Sequence, residues 1–107
     1  MTVLLEAMEA TFLKTAPEDL AALSAAAGAG DVENARLYAH RMKGNAAGVG
    51  ARRLSAAARE MEMGAASGGV PSREDVERLN ELFRLTTAEM ERARTGPANG
   101  AVPPGGK

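Results

Sequence analysis

Apolar positions recur along the chain at helical spacing and divide it into five segments and a tail. Val3, Leu4, Met8 and Phe12 fall on one stripe and predict a first helix over 3–14. Thr15-Ala16-Pro17-Glu18 reads as a capping box. Its proline stands in the first turn of a second helix, where a missing N–H costs nothing. That helix is expected to bury Leu20, Leu23 and Ala27 and to stop at Gly28 and Gly30. Asp31 is a good N-cap for a third helix, over 32–49, closed by Gly48 and Gly50. A fourth, over 51–66, presents Leu54, Ala58, Met61 and Ala65. Ser67-Gly68-Gly69-Val70-Pro71 is a loop, and Ser72 caps a fifth helix. This last helix carries Val76, Leu79, Phe83, Thr86, Met90 and Ala93 at steps of three and four. From Thr95 to Lys107 the chain is rich in Gly and Pro and has no apolar period. The expectation is one domain over 1–94 and a disordered tail or linker over 95–107. Short loops between amphipathic helices imply antiparallel neighbours, hence an all-α bundle.

Composition narrows the function. A chain of 107 residues suits one small domain. Alanine is abundant and aromatics are few, which favours helix over sheet. The net charge of −1 comes from acids and bases mixed along the chain, so no nucleic-acid footprint is expected. There is no cysteine, which excludes disulfides and thiolate zinc sites. A metal site on the single histidine would need carboxylate partners, and along the chain none clusters near His40. No apolar run reaches membrane-spanning length and no signal peptide is visible. The expectation is a cytoplasmic protein, or a cytoplasmic domain of a longer one, with no membrane and no nucleic-acid partner.

The chemistry concentrates at that histidine. At roughly 100° per residue, Val32, Ala35, Ala39, Met42, Ala46 and Val49 form the core face of the third helix. His40 points roughly 140° away from the centre of that face, into solvent. Its neighbours one and two turns away are Arg36, Leu37, Lys43, Gly44 and Ala47. An exposed neutral imidazole is a nucleophile near pH 7. Lys43 and Arg36 can counter added negative charge, Arg36 being the weaker case. Gly44 costs about 1 kcal/mol of helix stability against alanine, which makes sense if another protein must come close to the ring. Leu37 and Ala47 would give that protein an apolar contact, with Arg41 and Gly48 beside them. Phosphoryl transfer needs positioning and charge stabilisation more than covalent help, so a sparse site is expected.

Each feature also has a plainer explanation. A lone surface histidine is often only solvated, and Gly44 alone could be a helix–helix contact. Gly48 and Gly50 form a helix C-cap rather than a phosphate cradle, because no strand precedes them. The methionines at 42, 61, 63 and 90 fit core filler. Arg52-Arg53 fits a solvated first turn, though it could lie near a docking surface.

The segment Ala39-His40-Arg41-Met42-Lys43-Gly44-Asn45-Ala46-Ala47-Gly48-Val49-Gly50-Ala51, with Leu54 and Met61-Glu62 after it, resembles histidine phosphotransfer (HPt) domains of bacterial multistep phosphorelays. Members commonly show His, then a hydrophobe, Lys and Gly at plus two, three and four, and Gly-Ala at plus ten and eleven. Here these are His40, Met42, Lys43, Gly44, Gly50 and Ala51. Upstream, Phe12-Leu13, Pro17-Glu18-Asp19-Leu20, Leu23 and Gly30-Asp31 also look like the family. The resemblance covers about residues 4 to 92. It implies an antiparallel, up-down four-helix bundle with an additional N-terminal helix, and His40 as phosphoacceptor. It implies a phosphocarrier rather than an enzyme, with no cofactor of its own. The partners would be response-regulator receiver domains and a hybrid sensor histidine kinase, the receivers supplying Mg²⁺. A small module of this kind must leave the His40 face free, so a monomer is expected. Two other readings stand beside it: a helical interaction domain with an idle histidine, and the phosphoacceptor domain of a chemotaxis-type kinase. The latter usually shows further acidic residues around the histidine, whereas the local sequence here is basic. No paired carboxylates, nucleophile–base pair or nucleotide loop point to a stand-alone enzyme.

Overall fold

The structure, a computed structural model, describes residues 2–100, and the side chains of residues 4–93. These form four helices: α1 (Thr2–Ala29), α2 (Val32–Gly48), α3 (Arg52–Ala66) and α4 (Arg73–Gly100). Helix α1 packs against α2 and α4, and α3 packs against the same two, so the four close a ring around one core. Phe12, Leu23, Met42, Leu54 and Leu79 are its largest fully buried side chains. Alanines at 16, 35, 39, 46 and 58 are buried among them and let the helices approach closely.

The first two predicted helices are one. Pro17 lies inside α1, and the expected capping box is not used. The Thr15 hydroxyl instead donates to the Thr11 carbonyl, 3.0 Å away, within the same helix. The reason is the buried stripe. Phe12, Ala16, Leu20, Leu23 and Ala26 continue at steps of four and three straight past the proline, whose ring faces solvent. A proline inside a helix costs about 3 kcal/mol. Burying Leu20 and Leu23 in register, at about 1.5–3 kcal/mol each, outweighs that. There is therefore no additional N-terminal helix among the described residues; its sequence is the first half of α1.

That first half is less buried than its pattern suggests. Of the predicted stripe only Phe12 is in the core; Leu4 and Met8 are exposed, as is Leu5, and the Val3 side chain lies outside the described residues. Helix α1 has 28 residues and α2 has 17. Met8 Cε stands 3.5 Å from where a Cβ on Gly48 would be, so the turns of α1 before Met8 run past the end of α2. Near the other end Ala26, not Ala27, is buried.

The helix ends follow local chemistry. Gly30 takes φ +70° and lets the chain turn between α1 and α2. The Asp31 carboxylate accepts the Asn34 backbone N–H at 3.1 Å and the Asn34 side-chain amide at 2.7 Å, as an N-cap should. Ser72 caps α4 by accepting the Asp75 N–H at 3.0 Å, and Asp75 returns the bond at 3.3 Å. On α4, Val76, Leu79 and Leu82 are buried, whereas Phe83 is half-buried and stacks at a tilt on Phe12, 5.6 Å between centroids. Ala93 is exposed rather than in the core. Helix α4 runs on through Gly100, so the tail predicted from Thr95 begins as helix; residues 101–107 lie outside the described residues. Among the described residues, no helix is long and apolar enough to cross a membrane.

Candidate functional site

Helix α2 presents the two faces that its sequence predicts. Ala35, Ala39, Met42 and Ala46 are buried, with Val32 and Val49 half-buried at the ends. His40 is on the opposite side, its side chain 62% exposed. The ring is not idle. Its Nδ1 lies 2.7 Å from Glu62 Oε2, and Lys43 Nζ lies 2.7 Å from Glu62 Oε1. One carboxylate from α3 therefore holds both the histidine and the lysine of α2. Glu62 is only 18% exposed. Hydrogen bonds from Lys43 and then His40 hold its carboxyl below the ordinary 4.5, against an opposing effect of burial.

This carboxylate corrects the expectation that no acid stands near His40. Met61-Glu62 belongs to the motif read from the sequence, yet nothing in the linear pattern gave Glu62 a role. The available signal was the turn. Val49 to Ala51 connects α2 to α3, His40 lies ten residues before Gly50, and Glu62 lies twelve after it. Glu62 also follows Met61, a member of the buried stripe of α3, and so sits at the edge of that stripe beside α2.

The pairing decides the chemistry of the ring. An ionised carboxylate only accepts hydrogen bonds, so Nδ1 carries the proton. In the neutral ring the lone pair is then on Nε2, the nitrogen Glu62 does not touch. Lys43, half-buried, is held beside the ring by the same acid. At Gly44, a Cβ would meet nothing within 4 Å. The glycine is therefore not a helix–helix contact; it leaves open space one turn from the imidazole. Arg36 is exposed on the turn before His40 and makes no ion pair among the described residues. Leu37 and Ala47 are exposed on either side of the ring. Gly48 is exposed too, and a Cβ there would stand 3.5 Å from the Met8 side chain of α1. Arg41 is engaged within the fold: its Nε is 3.4 Å from the buried Asp19 carboxylate of α1, and its guanidinium lies 5.8 Å from the Tyr38 ring centre. Arg52 and Arg53 are exposed at the start of α3. On the same helix the Ser55 hydroxyl donates to the Lys43 carbonyl at 3.0 Å.

Compared with protein-family models, residues 7–96 match the Hpt domain. The chain belongs to the Hpt family. Neither curated proteins nor solved structures give a match. As an Hpt domain, the chain serves histidine phosphotransfer in two-component signalling, in which such domains carry a phosphoryl group and interact with receiver domains and kinases. Among the described residues of this Hpt domain, no group of three His, Cys, Asp or Glu side chains is placed to hold a metal ion.

Proposed function

We propose that His40 accepts a phosphoryl group on Nε2 from the aspartyl phosphate of a receiver domain and passes it to another receiver's aspartate in a multistep relay. The observation that carries this reading is the exposed ring whose Nδ1–H is bonded to Glu62. The Nε2 lone pair attacks phosphorus, the N–P bond forms, and the acyl P–O bond breaks with its electron pair returning to the receiver carboxylate. The ring keeps its Nδ1 proton and becomes cationic as the bond forms. The Glu62 carboxylate stabilises that charge from the far side of the ring. Lys43 offers its ammonium to the phosphoryl oxygens, and Arg36 adds a second cation nearby. The open space at Gly44 lets the donor and its acidic pocket reach Nε2.

Leu37, Ala47 and Gly48 supply the docking surface, and Arg41 lies at its margin. The Mg²⁺ of the reaction stays with the receiver, and the chain acts as a monomeric cytoplasmic carrier, free or attached to a hybrid sensor kinase. The unit is the helical bundle that closes with α4, its antiparallel up-down order supported by the short connections between packed neighbours. Incubation with phosphorylated receivers tests this: nuclear magnetic resonance should find the new phosphorus on Nε2, and a phosphoryl group on Nδ1 would contradict the role given to Glu62.

A second reading changes only the donor, making the chain the phosphoacceptor domain of a chemotaxis-type kinase. Glu62 favours it, because an acid does stand against the ring although the surrounding sequence is basic. Phosphorylation by a kinase catalytic domain with ATP, and by no charged receiver, would select it.

A further inference from the structure

Glu62 reaches two partners with one flexible side chain, so the position of α3 along α2 decides whether the site forms. Of the eight buried side chains on these two helices five are alanines: Ala35, Ala39 and Ala46 on α2, Ala58 and Ala65 on α3. Alanines make shallow ridges and resist sliding weakly. Besides the two contacts of Glu62, a further polar link crosses this interface, from the Ser55 hydroxyl to the Lys43 carbonyl at 3.0 Å. The hydroxyls of Thr15, Thr86 and Thr87 bond back along their own helix, to the Thr11, Leu82 and Arg84 carbonyls. The Ser55 hydroxyl forgoes that bond and crosses to α2. The Lys43 carbonyl needs no help in its own ladder, since it lies within α2 and accepts from the residue four later. Its second lone pair takes the serine.

Ser55 and Glu62 are seven residues apart on α3, two turns, and so lie on nearly the same face. Lys43 is thus held from that one face at both ends: its carbonyl by Ser55, its ammonium by Glu62. We infer that Ser55 is a positioning residue of the phosphotransfer site, its hydroxyl setting the register of α3 on α2 in which Glu62 meets His40 and Lys43. The inference rests on the phosphoacceptor reading for its functional consequence.

Ser55→Ala removes only the hydroxyl. It orphans no carbonyl and puts a better helix former in α3, so the variant folds. The ring nitrogens of His40, observed by nitrogen-15 spectroscopy in the unphosphorylated protein, report the Glu62 bond directly. In the native chain the Nδ1–H tautomer dominates. Glu62→Ala moves the ring toward the Nε2–H form of free imidazole. Ser55→Ala shifts it in the same direction by a smaller amount, and adds nothing to Glu62→Ala. Phosphorylation by a charged receiver is slowed by about two- to tenfold in Ser55→Ala, the range that the net worth of one hydrogen bond gives, and Ser55→Ala causes no further slowing once Glu62 is Ala. Ring signals identical to those of the native chain, or equal slowing with and without Glu62, would overturn the inference. A native chain that takes no phosphoryl group would defeat the phosphoacceptor reading instead, and the ring spectra would still judge Ser55.

Discussion

Two residues beside His40 make separable predictions. Gly44 faces open space, so the Cβ of Gly44→Gln meets nothing within 4 Å. The variant should be about 0.5 kcal/mol more stable, because glutamine is the better helix former, and it should transfer phosphoryl groups more slowly because its side chain occupies the approach to the ring. Urea denaturation and receiver-transfer kinetics check the two halves; unchanged kinetics would show that the glycine is not an access device. Glu62 predicts a pH dependence. Its folded carboxyl lies below 4.5, so its contribution to stability is fully present above its unfolded value and is lost as pH falls through the lower, folded one. Glu62→Gln should flatten that part of the acid limb in denaturation curves measured from pH 6 down to pH 2, and an unchanged limb would remove the ion pairs from the account. The exposure of His40 was legible in the helical period of its own segment. Glu62 was not, because a contact 22 residues apart depends on how two helices pack, and no single-helix pattern contains that.

At the scale of the element, caps and stops were legible and continuity was not. Asp31 and Ser72 cap as their side chains dictate, since a cap is decided within four residues. Asp31→Ala should lower stability by about 1 kcal/mol, measured by thermal or urea unfolding, and a neutral result would make the cap incidental. Pro17 misled because its local signal, a capping box, competes with a burial stripe five residues long on the other side of the same helix. Pro17→Ala restores an N–H toward the Leu13 carbonyl on an exposed face. It should raise stability, by up to about 3 kcal/mol, with helical content maintained. A fall in stability would mean that the proline fixes a bend α1 needs.

For the whole molecule, the bundle could be read from the alternation of apolar stripes and short connections, while the length of its helices could not. Four helices ring a core in which Phe12, Leu23, Met42, Leu54 and Leu79 are the largest members, and α2 and α3 deliver His40, Lys43 and Glu62 to one outer face. The site is therefore built on packed helices and needs no loop to order it. The most direct test of the account is the intact mass of the protein after mixing with phosphorylated receiver domains and Mg²⁺, for the native chain and for His40→Gln. The account predicts the gain of one acid-labile phosphoryl group by the native chain, and none by a His40→Gln variant of unchanged helical content. No gain across a broad panel of charged receivers, or a gain that survives in His40→Gln, would contradict it.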